Sequence, residues 1–322
     1  MWGTVGIASG RVRHFLALFI VLAGVLLTMR PCVFGLDPNL DVSQYTHTAW
    51  KVREGFSKGD ISSITQAPDG YIWLGTAFGL LRFDGVRTAP WEPPQNQHLP
   101  SNTIYSLLAA RDGTLWIGTT KGLASWKDGK LSEYAELAGQ VIFALLEDRE
   151  GTIWVGSVGV PPPGRLCAIQ NGKVRCSGED GSLGAGVRSL YEDASGNLWA
   201  ATDSGLWRWK PGNARYYPLG VEASDWKLGL AEDSDGAILI CTRKEIRRLI
   251  DGRLEAYPLP PTVQGFQAHT LLRDRDGGLW IGTVDRGILQ VHAGRTDVFG
   301  SSSGYLANSS TISSRIEKAI FG

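Results

Sequence analysis

The sequence predicts an all-β fold: a β-propeller of four-stranded blades, with six complete blades and a partial seventh. The first observation is a motif, Asp-Gly-x-Ile/Leu-Trp-x-Gly-Thr, that recurs every 38 to 45 residues, the usual period of propeller blades. The second is the glycine content, 41 of 322 residues, which indicates many tight turns. The third is that no segment after residue 36 shows the apolar periodicity of a helix. The tryptophan position of the motif is occupied by Trp73, Trp116, Trp154, Trp199, Leu239 and Trp280.

The first repeat shows how four strands fit into one unit. Strands are predicted at 61–67, 71–76 and 79–83, and a return strand begins at Val86. The third and fourth strands are joined by Asp-Gly, which between alternating apolar residues predicts a hairpin, because type I′ turns need positive φ. The equivalent turns of the later units are Asp128-Gly129, Asn171-Gly172, Pro211-Gly212, Asp251-Gly252 and Ala293-Gly294.

The tryptophans have a structural role in this arrangement. Each lies in the middle of a strand, and the glycine two residues later lies on the same face, which leaves room for the next blade. Burying an indole contributes about 4–6 kcal/mol before the entropy cost. We therefore predict that the tryptophans are core residues and not sugar-stacking platforms: Trp73, Trp116, Trp154, Trp199 and Trp280.

Composition and the N-terminus restrict the function. The formal net charge is zero, which argues against nucleic-acid binding, since that needs clustered basic residues. Residues 1–35 combine a basic start with a short apolar run, Phe15 to Leu27. This is typical of a secretory signal peptide cleaved after Gly35, and an uncleaved N-terminal anchor is the alternative. In both cases the propeller, residues 36–302, is exported.

The repeats resemble the two-component regulator propeller family, found in the exported sensor regions of bacterial hybrid histidine kinases and diguanylate cyclases. The resemblance rests on the tryptophan motif, on Gly-Leu-x-Arg-Phe-Asp-Gly at 79–85 and on Glu-Asp-Arg-Glu-Gly at 147–151. It covers residues 36 to about 300. It implies a periplasmic, ligand-sensing input region without its own catalysis, whose partners are the membrane-proximal and kinase or cyclase domains of the same receptor. A homodimer is a further expectation, and no cofactor or metal is expected.

The chain departs from that family plan after the sixth repeat. No apolar span follows the propeller, and residues 303–322 read as the start of a truncated further repeat. Residues Tyr45 to Arg53 could supply the outer strand of this seventh blade and close the ring. We therefore expect a fragment or truncated product that lacks its output domain.

The loops and the first strands indicate where a ligand could bind. The Asp-Gly turns share one face and are nearly uniform, whereas the loops on the opposite face vary between repeats, and function usually lies in such loops. Two positions before the apolar residue of each first strand, the repeats carry mixed residue types: Ser62, Tyr105, Phe143, Arg188, Leu228 and His269.

We expect three members of this column, Tyr105, Arg188 and His269, to line the mouth of the central channel. Arginine suits a carboxylate or sulfate, and tyrosine suits a sugar or another ring, so the expected ligand is a small molecule or an oligosaccharide. The alternative is that these positions are merely solvated.

The cysteines support an exported location. Cys167 and Cys176 are symmetric about the Asn171-Gly172 turn, which places them opposite each other and predicts a disulfide in an oxidising compartment. Cys241 replaces a motif glycine, and this position predicts a small buried residue.

An enzyme is disfavoured. No nucleophile elbow, metal-spaced cluster or phosphate-binding loop is visible. A free-standing protein-interaction scaffold and a propeller lyase or glycosidase remain alternatives. The enzymes would need His with Glu, or paired carboxylates, at the channel mouth.

Overall fold

The computed structural model describes residues 59–94, 96–159, 163–210, 213–219, 229–242, 245–259, 265–274, 277–292 and 294–299. They form six antiparallel four-stranded sheets in a ring, and in every sheet the strands pair in chain order. The one helical element in these ranges is a short 3-10 turn, Ala135–Leu137. The predicted fold class, an all-β propeller, is confirmed.

Blades 1 to 3 consist of β1 (Ile61–Gln66), β2 (Ile72–Thr76), β3 (Gly79–Phe83), β4 (Thr88–Trp91), β5 (Ile104–Ala109), β6 (Leu115–Thr119), β7 (Gly122–Lys127), β8 (Lys130–Glu133), β9 (Val141–Glu147), β10 (Ile153–Val158), β11 (Leu166–Gln170) and β12 (Lys173–Ser177). Blades 4 to 6 consist of β13 (Val187–Glu192), β14 (Leu198–Thr202), β15 (Gly205–Lys210), β16 (Arg215–Pro218), β17 (Gly229–Glu232), β18 (Ile238–Cys241), β19 (Ile246–Ile250), β20 (Arg253–Ala256), β21 (Ala268–Arg273), β22 (Leu279–Thr283), β23 (Ile288–His292) and β24 (Arg295–Phe299). The first strand of each blade is the innermost.

The outer hairpins follow the turn chemistry of the sequence in three blades. Asp128, Asn171 and Asp251 have φ near 50° and are each followed by a glycine of positive φ, as type I′ turns require. In blade 1 the connection is longer, because Asp84 Oδ1 accepts the backbone N–H groups of Val86 and Arg87. The return strand β4 therefore begins at Thr88 and not at Val86.

The glycine of the motif allows consecutive blades to approach closely. A Cβ on Gly75 would lie 2.7 Å from Ile104 Cγ2 of the next innermost strand, a separation that real side chains do not adopt. The same close approach, at 2.8 Å, occurs between Gly118 and Ile142 and between Gly156 and Val187. The glycine therefore sets the distance between blades, as the sequence predicts.

The indole groups are buried beside these glycines. Trp73, Trp116, Trp199 and Trp280 are at most 7% exposed, and Trp154 is partly buried. In three blades the indole Nε1 donates to an aspartate six residues earlier, at 2.7–2.8 Å; the pairs are Trp154 with Asp148, Trp199 with Asp193, and Trp280 with Asp274. These aspartates also accept backbone N–H groups of the turn before the tryptophan strand, so they fix that turn and the indole together.

Hydrogen bonds and ion pairs between arginine and glutamate join neighbouring blades at the Asp-Gly face. The backbone N–H of Arg111 donates to Glu147 at 2.8 Å, and the Arg111 guanidinium pairs with the same carboxylate and with carbonyls of the following turn. Arg149 repeats every one of these contacts toward Glu192 in blade 4. In blade 4 Ala194 stands at the position of the arginine, so only the backbone hydrogen bond to the next blade is present. The N–H of Ala194 donates to Glu232 at 2.7 Å.

Blade 1 has a side that faces away from blade 2, and blade 6 has a side that faces away from blade 5. Side chains on both are buried, although among the described residues the two sides do not pack on each other as consecutive blades do. Phe83 and Leu74 are 1% and 2% exposed, and the side chains packed with them all belong to blade 1. Trp280 of blade 6 is 2% exposed. The seventh blade expected from the sequence, with residues 45–53 and 303–322, lies outside the described residues, as does the segment 1–35.

A disulfide joins Cys167 to Cys176 across directly paired positions of β11 and β12, with the Cα atoms 4.0 Å apart. Cys241 is fully buried and lies outside this disulfide. No helix among the described residues is both long and apolar enough to cross a membrane.

The first prediction concerns the disulfide. The mature protein, without residues 1–35, should react with a thiol reagent at one cysteine when denatured and at three after reduction, because Cys32 is removed with the N-terminal segment. Three reactive thiols before reduction would contradict the bond.

The second prediction concerns Asp148, which is fully buried and accepts Lys210 Nζ of blade 4 at 2.8 Å. Burial alone would raise its pKa, but the bonds from Lys210, Trp154 and Thr152 outweigh burial and hold the pKa below its ordinary 3.8. Its stabilising contribution is complete above pH 3.8 and is lost as the pH falls through the lower pKa of the folded state.

We therefore expect Asp148→Asn to lower the free energy of unfolding by about 2–4 kcal/mol at pH 7, and by clearly less at pH 3. Urea unfolding at the two pH values measures this. Asp193→Asn is the control, since Asp193 binds Trp199 and Asn197 and should cost less. Equal costs for Asp148→Asn at pH 7 and pH 3 would show that the ion pair with Lys210 contributes nothing.

Candidate functional site: the bulge row

Strand pairing is interrupted at the same place in five innermost strands. In β1, Ile61 pairs with Thr76 and Ser63 pairs with Gly75, so Ser62 is an extra, bulged residue. The same interruption makes bulged residues of Tyr105, Phe143, Arg188 and His269. Bulges commonly re-aim a side chain next to a functional site. We call these five residues the bulge row; the sixth position, Leu228, lies outside the described residues.

The bulge changes which side chains share a face. From strict alternation, the sequence places Ser62 on the side of Ile64. The structure instead packs Ile61 and Ile64 in one apolar cluster, because the extra residue shifts the alternation by one. The row therefore does not share the packed face of Ile61 and Ile64, and its residue types vary between blades.

The bulges lie beside the variable loops. Ile61, which precedes Ser62, pairs with Thr76 at the end of β2, and the loop Ala77-Phe78 follows directly. Asp203, in the equivalent loop of blade 4, reaches the bulge of its own blade. The bulge row therefore lies at the variable-loop end of the innermost strands, as the sequence predicts for the candidate residues.

Three members of the row form a continuous group across blades 2, 3 and 4. The rings of Tyr105 and Phe143 lie 4.8 Å apart between centroids, tilted by 35°. The guanidinium carbon of Arg188 lies 5.4 Å from the Phe143 ring. Tyr105 is 36% exposed, so it is the solvent-facing end of the group.

Arg188 is already paired with a carboxylate. Its Nε donates to Asp203 Oδ1 and its Nη2 lies 3.4 Å from Asp203 Oδ2. The two side chains are only 5% and 10% exposed, so the positive charge is neutralised within the protein. The sequence pointed to Arg188 as a receptor for an anion, but did not indicate this partner.

The remaining members of the row have separate environments. Ser62 Oγ lies 2.5 Å from the carbonyl oxygen of Ile104 and 3.0 Å from that of Gly75, and its one hydroxyl proton is shared between them, so it links blades 1 and 2. His269 is partly buried and belongs to the row by its position in the repeat. The structure thus brings Tyr105 and Arg188 together through Phe143, a residue that the sequence placed in the column without selecting it.

Phe143 and Asp203 are the two residues that sequence reasoning missed. Phe143 had a signal, because it stands between Tyr105 and Arg188 in the repeat alignment. Asp203 had only its place in a variable loop. Among the described residues, no group of three or more His, Cys, Asp or Glu side chains could hold a metal ion.

Comparison with known families decides the identity of the repeats. The family described as "Two component regulator propeller" matches residues 55–78, 98–121, 136–159, 181–204 and 267–285. The chain carries two component regulator propeller repeats. Blade 5, in which Leu239 replaces the tryptophan, lies between the last two matched segments. Comparison with curated proteins finds no match.

Solved structures share the fold of these regulator repeats. The extracellular domain of a putative hybrid two component system from B. thetaiotaomicron is similar with a TM-score of 0.62 at 18% identity, over 83% of this chain and 38% of that one. A catalytically inactive virginiamycin B lyase from Staphylococcus aureus, solved with quinupristin, gives a TM-score of 0.60 at 17% identity, over 75% of this chain and 84% of that one. At such identities the likeness shows the fold alone.

The third prediction tests the ion pair. Arg188→Met leaves Asp203 buried without its partner and should lower the free energy of unfolding by about 3–5 kcal/mol. The double variant Arg188→Met/Asp203→Leu should recover most of this loss, because the pair is replaced by apolar side chains. A double-mutant cycle by urea unfolding measures the coupling, and additive losses would contradict a direct pair.

Proposed function

We propose that this chain is the exported, ligand-sensing propeller of a two-component or phosphorelay receptor, and that its ligand binds at the bulge row. The observation that carries the proposal is the row itself: five equivalent bulges at the variable-loop end of the innermost strands, with varied side chains on a uniform frame of regulator repeats. Tyr105, Arg188 and His269 contact the ligand, and Phe143 supports Tyr105 from behind.

The proposed compartment is the periplasm. The basic and apolar pattern of residues 1–35 supports export, and a structural disulfide suits an oxidising compartment. The output of the receptor belongs to other domains, a membrane-proximal domain and a kinase or cyclase. The propeller acts on them through a ligand that binds two of its arrangements with different affinity.

The residue types of the row favour a receptor over an enzyme. The proposed lyase or glycosidase alternative requires an imidazole with a carboxylate, or two carboxylates, at the channel mouth. Among the described members of the row His269 is the one imidazole and none is a carboxylate. Of the loop carboxylates near the row, Asp203 is engaged by Arg188, and Asp285 accepts the backbone N–H of Gln267. A protein-binding scaffold would instead use a broad exposed patch, whereas large exposed apolar side chains are scattered over the described blades.

The fourth prediction tests binding at the row. A thermal-shift screen of neutral and acidic saccharides and small aromatic compounds should yield a ligand that raises the melting temperature of the full chain. Tyr105→Ala and His269→Ala should each weaken this ligand by about tenfold or more. The control is Val86→Ala, which truncates a 74% exposed side chain at the opposite face and should bind normally. No stabilising ligand, or one that is indifferent to both row variants, would overturn the proposal.

Export is tested separately. Fusion of residues 1–60 to alkaline phosphatase, which is active only when exported, should give activity in a Gram-negative host. Replacing Val21 and Leu22 with Arg should abolish the activity, because it interrupts the apolar run. Equal phosphatase activity of the two fusions would contradict export through this segment.

A further inference from the structure

We propose that the bulge row selects an uncharged ligand with a ring, and that Asp203 is the residue that excludes anions. This inference rests on the proposed function, since it assumes that the row is the ligand site. It differs from what the residue types suggest, because an arginine at a channel mouth ordinarily indicates a carboxylate or sulfate ligand.

The first step concerns the aromatic pair. Tyr105 is 36% exposed and its ring is supported by Phe143 at 4.8 Å, so the Tyr105 side chain is held in place before a ligand arrives. A ring held in this way offers an apolar surface and a hydroxyl at low entropy cost. The surface suits the C–H face of a sugar ring or the face of an aromatic ring.

The second step concerns charge. The Arg188 guanidinium is enclosed by Phe143 and by Asp203, and its side chain is 5% exposed. An anion arriving at the row would have to displace the Asp203 carboxylate from a two-point contact, and it would then leave that carboxylate buried without its partner. Removing one partner of a buried pair is strongly unfavourable. An uncharged ligand has no such cost.

The third step concerns the origin of the carboxylate. Asp203 belongs to the variable loop of blade 4, and the loops at the same position in blades 1 and 2 carry Ala77-Phe78 and Thr120-Lys121. The carboxylate is therefore not required by the repeat. Its place beside the one arginine of the bulge row makes it a specificity residue rather than part of the blade frame.

The experiment uses two matched probe pairs, each differing by one carboxylate: methyl β-glucoside with methyl β-glucuronide, and 4-hydroxybenzamide with 4-hydroxybenzoate. Dissociation constants are measured by ligand-observed NMR on the full chain. In the wild type, the neutral member of at least one pair should bind about tenfold or more tightly than its acid. Which pair binds distinguishes a sugar from an aromatic ligand, and Tyr105→Ala should weaken the neutral probe.

Asp203→Asn should reverse this preference, with the acid of the same pair gaining about tenfold or more, because Arg188 is then exposed to an anion without a competing carboxylate. If Asp203→Asn does not fold, Arg188→Gln/Asp203→Asn takes its place. In this charge-free variant the ratio of the two dissociation constants, acid to neutral probe, should narrow several-fold relative to the wild type.

Three results would overturn the inference: tighter or equal binding of the acids by the wild type, discrimination that is unchanged in the Asp203 variants, or binding of no probe to the wild type. Acids that bind the wild type and lose affinity in Tyr105→Ala would leave the proposed function standing and remove only the selection by charge. The proposed function is tested separately by the thermal-shift screen, in which a stabilising ligand supports it whether that ligand is acidic or neutral.

Discussion

Blades 1 to 5 each bury the side of the second strand against the innermost strand of the next blade, and this contact sets the spacing of the blades. The close approach at Gly75, Gly118 and Gly156 leaves no room for a side chain, so the distance between blades is fixed by backbone and by one apolar residue of the neighbour. The aspartate that accepts the indole N–H also binds the turn before it. Packing between blades and the shape of each hairpin are therefore set by the same few groups.

The bulged positions differ from the regular positions of the innermost strands in the residue types that they carry. At a regular strand position, every second side chain packs between blades and its type is restricted by volume. The extra residue in five of the innermost strands lies outside this alternation, and serine, tyrosine, phenylalanine, arginine and histidine occupy the equivalent positions. A propeller built in this way can vary these positions while the glycines and apolar residues that space the blades stay the same.

Most of the fold could be predicted from the sequence because the repeat combines period, turn residues and tryptophan position. Asn171-Gly172 specifies a two-residue hairpin, and it also places the two cysteines opposite each other. The bulges could not be predicted, because an inserted residue leaves no mark in residue type and only breaks the alternation. The partner of Arg188 was missed because Asp203 approaches from a loop, and no local sequence pattern specifies the path of that loop.

Blade 5 shows how a repeat can lose its central residue without losing its neighbours. Leu239 replaces the tryptophan and is fully buried, so Asp233 has no indole to accept. Its carboxylate instead pairs with Arg273 of blade 6 and lies 3.9 Å from Arg248. Arg273 occupies a position that is glutamate in three other blades, and it is tolerated there because blade 5 has a carboxylate to spare. A tryptophan introduced at position 239 would compete with Arg273 for the same carboxylate, so the residue that fits the other blades would not fit blade 5 without cost.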